Sequence, residues 1–388
     1  MRCLHALLVT VLLFVPPMNT SNLLAPASAE SLVGLVSGQS AYDYDLQLEK
    51  ITTDPTVSGY SFRVAGSPGA TAAANWLVDA FKRLGLESYT ESFDFTTWNL
   101  LSPPSMILDV DGNPTTTWDQ ITLTSFMPKH MAWPTGSDGL FAQVVVLPLP
   151  EYGEPFPVGF WDDISIKGRI AVVGREFGLF KSWREGYVAK IKNEPPLAIV
   201  HTWWFSNLSW APPYSGSQEG RLYAPLDVRE LRYWDLKVPV GMVNYEDGFR
   251  IREHAKSSSV SAKLVINAEI GVGPHHNVIG KLDGKDPSKT LIFSSHYDTV
   301  LTPGFGDDGA GTAGLLELAR AFGTAKREGT YAPPYNIMFV CFTAEELWLI
   351  GSSYFVKQHK SELKGILGVI NLDPIGSDRL MVSESPSN

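Results

Sequence analysis

From residue 276 onward the apolar positions fall into short unbroken runs separated by amphipathic stretches. Thr290–Ser295, Asn336–Phe342 and Ile366–Leu372 read as strands, and Gly309–Phe322 and Gly351–His359 as helices between them. The run Ile337-Met338-Phe339-Val340-Cys341-Phe342 has no polar interruption, as expected of a strand buried on both faces of a parallel sheet. Alternating strands and helices predict an α/β fold with a mostly parallel sheet and helices on both faces. Upstream, Ala73, Trp76, Leu77, Ala80, Phe81 and Leu84 recur at helical spacing, with Gly85 where a left-handed C-terminal cap belongs. Arg63–Gly69, just before that helix, reads as a loop. The texture differs between residues 100 and 265. Short β runs at Ala142–Leu147, Arg169–Val173, Leu197–His201 and Val238–Val243 alternate with Pro- and Gly-rich loops, which predicts a β-rich module inserted into the α/β unit.

A chain of 388 residues is too long for one ordinary core, so two packed units are expected. A formal charge of −10 argues against a nucleic-acid or anionic-membrane partner. Met1-Arg2, the apolar Ala6–Val15 and the small residues Ala27-Ser28-Ala29 have the form of an export leader spanning residues 1–29. Its apolar run is too short to span a bilayer, which takes about 20 residues. The expected destination is secreted or periplasmic, with no stable membrane insertion after cleavage. Of the two cysteines, Cys3 lies in the leader, so the mature chain has no intramolecular disulfide, and Cys341 reads as an inert buried thiol. Asn207-Leu208-Ser209 is a sequon of a kind that arises readily by chance.

In an open parallel sheet, ligands bind beyond the carboxyl ends of the strands. His296 ends one predicted strand, Glu345-Glu346 follow the next, Asp373 follows the third, and Asp307 stands just before a helix. Taken singly, each is more simply a solvated or capping residue. Together they gather at one sheet edge, and an imidazole with several carboxylates suits divalent cations. Asp307 can bridge two cations, and Asp308 can cap the helix that follows. Of two adjacent glutamates, one can bind metal while the other faces the water to be activated and serves as general base. Asp298, two residues after His296, can accept the second ring N–H and fix the tautomer.

These segments resemble the co-catalytic zinc aminopeptidase and glutamate carboxypeptidase family, which also includes the transferrin receptor. The matching pieces are His296-Tyr297-Asp298, Asp307-Asp308-Gly309-Ala310-Gly311, Glu345-Glu346 and Asn371-Leu372-Asp373-Pro374-Ile375-Gly376, in the family's order. The resemblance implies that His296 and Asp373 bind one zinc, Asp307 bridges both, Glu346 binds the other, Glu345 is the general base and Asp298 supports His296. Asn277-Val278-Ile279-Gly280 is similar to the family's entry strand and Arg63–Leu86 to its N-terminal segment. Lys167–Val173 and Val238-Pro239-Val240 resemble a protease-associated domain. The implied organisation is a zinc exopeptidase domain over residues 30–99 and 266–388, with a protease-associated insert over 100–265. The implied activity is that of a secreted zinc metallopeptidase, an aminopeptidase acting on peptides. The alternatives are a receptor-like binding protein on the same scaffold and a glutaminyl-cyclase-like acyltransferase. Trp203 and Trp204 of the insert are expected in core packing rather than in a substrate cleft.

The chain departs from the family at one ligand. The family places a histidine for the second zinc well beyond the position of Asp373, and no histidine follows Asp373 here. His275 and His276 precede the first metal-bearing strand, and His359 lies on a predicted outer helix. The chain reads as a C-terminally truncated form, with a natural short form as the alternative. The full family site holds two zinc ions; one tightly held ion and little peptidase activity are expected of this chain.

Overall fold

The computed structural model describes residues 29–111, 120–147, 161–174, 181–202 and 236–376. Residues 1–28 of the expected leader, Trp203, Trp204, the sequon and residues 377–388 lie outside that range. The chain forms two compact units, dividing between Thr97 and Trp98 and again between Gly271 and Val272.

The first unit opens with helices α1 (Ala29–Leu35) and α2 (Gly38–Thr53), which the hydrophobic pattern does not announce. The buried positions of α2 include Asp45 and Thr52 beside Ala41 and Leu48, so its inward stripe is half polar. Helix α3 (Pro68–Arg83) follows the predicted periodicity, burying Ala70, Ala73, Ala74, Leu77, Ala80 and Phe81. The Ala70 N–H donates to Ser67 Oγ at its start, and Pro68 sits in the first turn, where a missing N–H does no harm. Gly85 ends it with φ +84°, and Leu86 N–H donates back to the Phe81 carbonyl, a left-handed cap that a Cβ would strain.

Strands β1 (Glu87–Leu100) through β9 lead through the second unit and back. Within it run β2 (Ser105–Val110), β3 (Gln120–Leu123), β4 (Met127–Pro128), β5 (Leu140–Val146), β6 (Ile170–Gly174), β7 (Ala198–Thr202), β8 (Val240–Met242) and β9 (Val260–Val265). Among the described residues these form an eight-stranded mixed sheet in the order β3-β2-β9-β5-β6-β7-β8-β4. The unit also carries helices α4 (Lys181–Asn193) and α5 (Tyr245–Ser257), which the β-rich reading of the sequence does not locate. Helix α5 is rich in charge and buries only Asp247, Gly248 and Ile251, too thin a stripe for periodicity to reveal.

The first unit is completed by β10 (Ala268–Leu282), β11 (Asp286–His296), helix α6 (Ala310–Arg327), β12 (Tyr335–Phe342), helix α7 (Ile350–Gln358) and β13 (Ile366–Asn371). Its five-stranded sheet has the order β1-β10-β12-β11-β13. Pairing is parallel for β11–β12 and β11–β13 and antiparallel for β10–β12. Phe293, Phe339 and Cys341 bury one face against Leu77 and Phe81 of α3 and Leu315 and Phe322 of α6. Ile292, Met338 and Val340 bury the other against Phe355 of α7. Helices thus cover both faces, and the two-sided burial explains the unbroken apolar run of β12. Burial pushes the Cys341 thiol up to about 12, so it stays protonated and unreactive.

The end of α7 is fastened to β1 by His359, whose Nε2 lies 2.7 Å from Glu91 Oε1 and Nδ1 3.1 Å from Glu362 Oε2. Burial alone would lower the pKa of His359, but the two carboxylates outweigh it and raise the value. A raised folded pKa contributes stability that is fully present below the unfolded value of about 6.5 and fades as pH rises through the folded value. His359→Gln should therefore lower stability, and with it Tm, more at pH 6 than at pH 9, the stability difference being on the order of 1 kcal/mol or less. Thermal melts of both proteins at the two pH values check this; an equal difference at both would rule out the ion pair.

Candidate metal centre

The parallel register brings three chain segments to one edge. His296 is the last residue of β11 and pairs with Phe342, the last of β12, so Thr343–Glu346 emerge beside it. Ser294 pairs with Asn371 at the end of β13, and Leu372 N–H donates to the Ser294 carbonyl, placing Asp373 next to the same edge. A kinked turn, Phe305–Gly309, with non-helical backbone at Asp307 and Asp308, carries Asp307 in just before α6.

The result is a group of ligand atoms from His296, Asp307 and Asp373, all within 4.8 Å of one another. His296 Nε2 lies 3.1 Å from Asp307 Oδ1, 3.8 Å from Asp373 Oδ1 and 3.8 Å from Glu345 Oε2. The imidazole is buried, whereas Asp307 and Asp373 are on the open side. On the far side of the ring, Nδ1 is 3.1 Å from the Asp298 carbonyl and 3.6 Å from its Oδ1. A carbonyl only accepts, so Nδ1 carries a proton, and Nε2 is the nitrogen turned toward the carboxylates.

That arrangement is electrostatically one-sided. Burial alone would depress the pKa of His296, but Asp298, Asp307 and Asp373 raise it strongly. Burial, together with the neighbouring Asp298 and Asp373, pushes Glu345 up to about 7. Glu346 is pushed up to about 8 by burial, Asp298 and Asp307. Either Nε2 holds a second proton among these carboxylates or its lone pair faces a cation that neutralises them. One imidazole and two carboxylates converging from an open side are a donor set that fits zinc with room for water. Binding a cation would restore the ordinary ionised carboxylates.

The two aspartates of the turn diverge. Asp307 faces His296, while Asp308, joined to it by a cis peptide, points inward and is fully buried. Its Oδ1 accepts the Gly311 N–H at the start of α6 and its Oδ2 accepts the His296 N–H. Asp308 thus caps the helix, as its chemistry allows, and also ties that helix to the strand end that carries His296, a link that sequence spacing does not reveal. Asp298 likewise does more than face the His296 ring. Its Oδ1 accepts the Glu345 N–H at 3.0 Å and its Oδ2 the Glu346 N–H at 3.3 Å. The two glutamates are therefore hung from the carboxylate that also backs the histidine. Glu345 reaches His296, while the Glu346 carboxylate is not in the three-residue group. His275 and His276 lie on β10, and His359 is engaged at the end of α7.

This centre sits inside a recognised sequence segment. Residues 277–383 match the profile of Peptidase family M28. The probable leucine aminopeptidase 2 of Aspergillus oryzae is 31% identical over 137 residues, covering 35% of this chain and 26% of that protein. Aminopeptidase YwaD of Bacillus subtilis is 28% identical over 258 residues, covering 65% of this chain and 48% of that protein. The solved structure of BSAP, a zinc aminopeptidase from Bacillus subtilis, superposes with a TM-score of 0.55 at 22% identity, over 87% of this chain and 69% of that one. Residues 277–383 are thus similar to peptidase family M28, and the mixed α/β fold resembles that of the zinc aminopeptidase structure. It spans half or less of the length of the two curated relatives.

Proposed function

We propose that this chain is a zinc-dependent aminopeptidase of the M28 type, holding one zinc tightly on His296, Asp307 and Asp373 and using Glu345 as general base. The observation that carries the reading is the convergence of those three donors within 4.8 Å, with Glu345 3.8 Å from His296 and outside the group. The names of the relatives support a peptide substrate and an amino-terminal site of cleavage. Zinc in such a centre supplies Lewis acidity and lowers the pKa of the attacking water. Glu345, hung from Asp298, takes the proton of that water and passes it to the departing amine. Asp298 holds the Nδ1 proton in place so that Nε2 stays turned to the donor group. Glu346, in the same turn, would hold a second ion together with Asp307. The leader-like start supports export, and no helix among the described residues is long and apolar enough to cross a membrane.

The test pairs metal and substrate. Competition with a chromogenic chelator should show one tightly bound zinc, weakened by about 100-fold or more in His296→Ala, since a ligand matters at least as much as the groups that orient it. The low activity expected of this chain should fall on peptides with a free amino terminus and not on their N-acetylated counterparts. Zinc affinity unaffected by His296→Ala would defeat the ligand assignment, and cleavage of blocked peptides would defeat the aminopeptidase reading.

A further inference from the structure

Arg63 stands in the loop before α3, far in sequence from the metal centre, and is only 1% exposed. Its guanidinium is spent almost entirely on one other loop. Nε donates to the Tyr297 carbonyl at 2.7 Å, Nη1 to the Pro303 carbonyl at 2.9 Å, and Nη2 to the Gly304 carbonyl at 3.0 Å. Nη1 also donates to Thr52 Oγ1 of α2, and the Arg63 carbonyl accepts the Thr299 N–H. Residues 297–304 connect His296 to the kinked turn Phe305–Gly309 that carries Asp307. The bonded carbonyls lie at both ends of that connection, so one rigid, planar group spans it.

The surroundings are fitted to this span. Gly304 turns with φ +65°, and a Cβ there would stand 2.1 Å from Thr299 Cγ2 and 3.1 Å from Arg63 Nη2. The Gly304 carbonyl accepts the Gly309 N–H as well, which carries the restraint into the turn bearing Asp307. Asp45, Asp298 and Asp308 surround the buried cation and offset its charge. Two of these three are the residues that orient His296 and Glu345.

Resting on the zinc reading above, we propose that Arg63 is a positioning residue for the metal centre: it fixes the width of the 297–304 loop and thereby the spacing of His296 and Asp307. It touches neither metal nor substrate. A lysine would keep the charge but could not reach carbonyls at both ends of the loop.

Arg63→Lys is the test, read by zinc affinity in chelator competition, by Tm, and by amide hydrogen exchange at Thr299 and Gly309 in zinc-free protein. Thr52→Val is the control, because it removes the one guanidinium partner outside the loop. Arg63→Lys should weaken zinc binding by about 10- to 100-fold, the range seen when groups that orient metal ligands are changed. It should also speed exchange at both amides. Thr52→Val should lower Tm without changing either readout. Should Arg63→Lys fail to fold, Gly304→Ala presses on the same span from the loop side and carries the same expectation. Unchanged zinc affinity and exchange in the variant that folds would overturn the proposal, as would an equal loss of zinc affinity in Thr52→Val. If His296→Ala leaves zinc affinity intact, the zinc reading itself has failed. Exchange at Thr299 and Gly309 then decides alone: faster exchange keeps Arg63 as the brace of this loop, and unchanged exchange removes it.

Discussion

Glu345→Gln is expected to lower whatever peptide hydrolysis the chain shows by roughly 10²- to 10⁴-fold, the usual contribution of a general base, while zinc content stays at the level of the unaltered protein. The reasoning is geometric. Glu345 lies 3.8 Å from His296 Nε2 but outside the group formed by His296, Asp307 and Asp373, so its carboxylate is beside the centre rather than part of it. Gln preserves size and one acceptor oxygen and removes the ability to take a proton. The Glu345 backbone N–H, which holds the turn to Asp298, is untouched by the change. Activity and zinc are to be measured on the same preparation. If Glu345→Gln lost its zinc while Glu346→Gln kept both zinc and turnover, the two glutamates would have to exchange roles.

The second large effect is expected at Asp298. Its carboxylate accepts the Glu345 and Glu346 N–H groups while its residue backs the His296 ring, and it is fully buried. Asp298→Ala releases the turn and leaves two partly buried donors unpaired, at a cost of about 1–3 kcal/mol of stability. Zinc affinity should fall by about 10- to 100-fold at the same time, because the imidazole loses a partner that orients it. Asp298→Asn keeps one acceptor oxygen and should recover much of the stability but little of the affinity. Calorimetry and chelator competition on both variants separate the two losses. Equal zinc affinity in Asp298→Ala and the unaltered protein would show that the ring is held by the Asp298 carbonyl alone.

The sheet and the donor residues were legible because their signals are local. The apolar run through β12 can be read in a window of a few residues, and His296, Asp307, Glu345-Glu346 and Asp373 each stand where a strand stops or a helix starts. What stayed hidden is what acts at long range or through the backbone. Arg63 meets the Tyr297 carbonyl across 234 positions, and a carbonyl carries no side-chain signature. Asp298 could be assigned to the ring of His296 by spacing, but not to the N–H groups of a turn 47 residues later. Helix α2 was missed because its inward face carries Asp45 and Thr52, whose use depends on the buried guanidinium they face. The position of Glu346 outside the three-residue group depends on a turn with positive φ at Ala344, Trp348 and Leu349, none of them glycine.

The common register of β11, β12 and β13 has a consequence for variation in the sheet. Each step along a strand is about 3.3 Å, and a slip of one residue also turns every side chain to the opposite face. A slip of β12 against β11 would carry Glu345 and Glu346 a full step along the edge while His296 stood still. The pairing of His296 with Phe342 and of Ser294 with Asn371 therefore works as a ruler for the centre, marked in backbone hydrogen bonds. Bulge-forming or proline changes deep in these strands belong, by their effect, with changes to the proposed metal ligands.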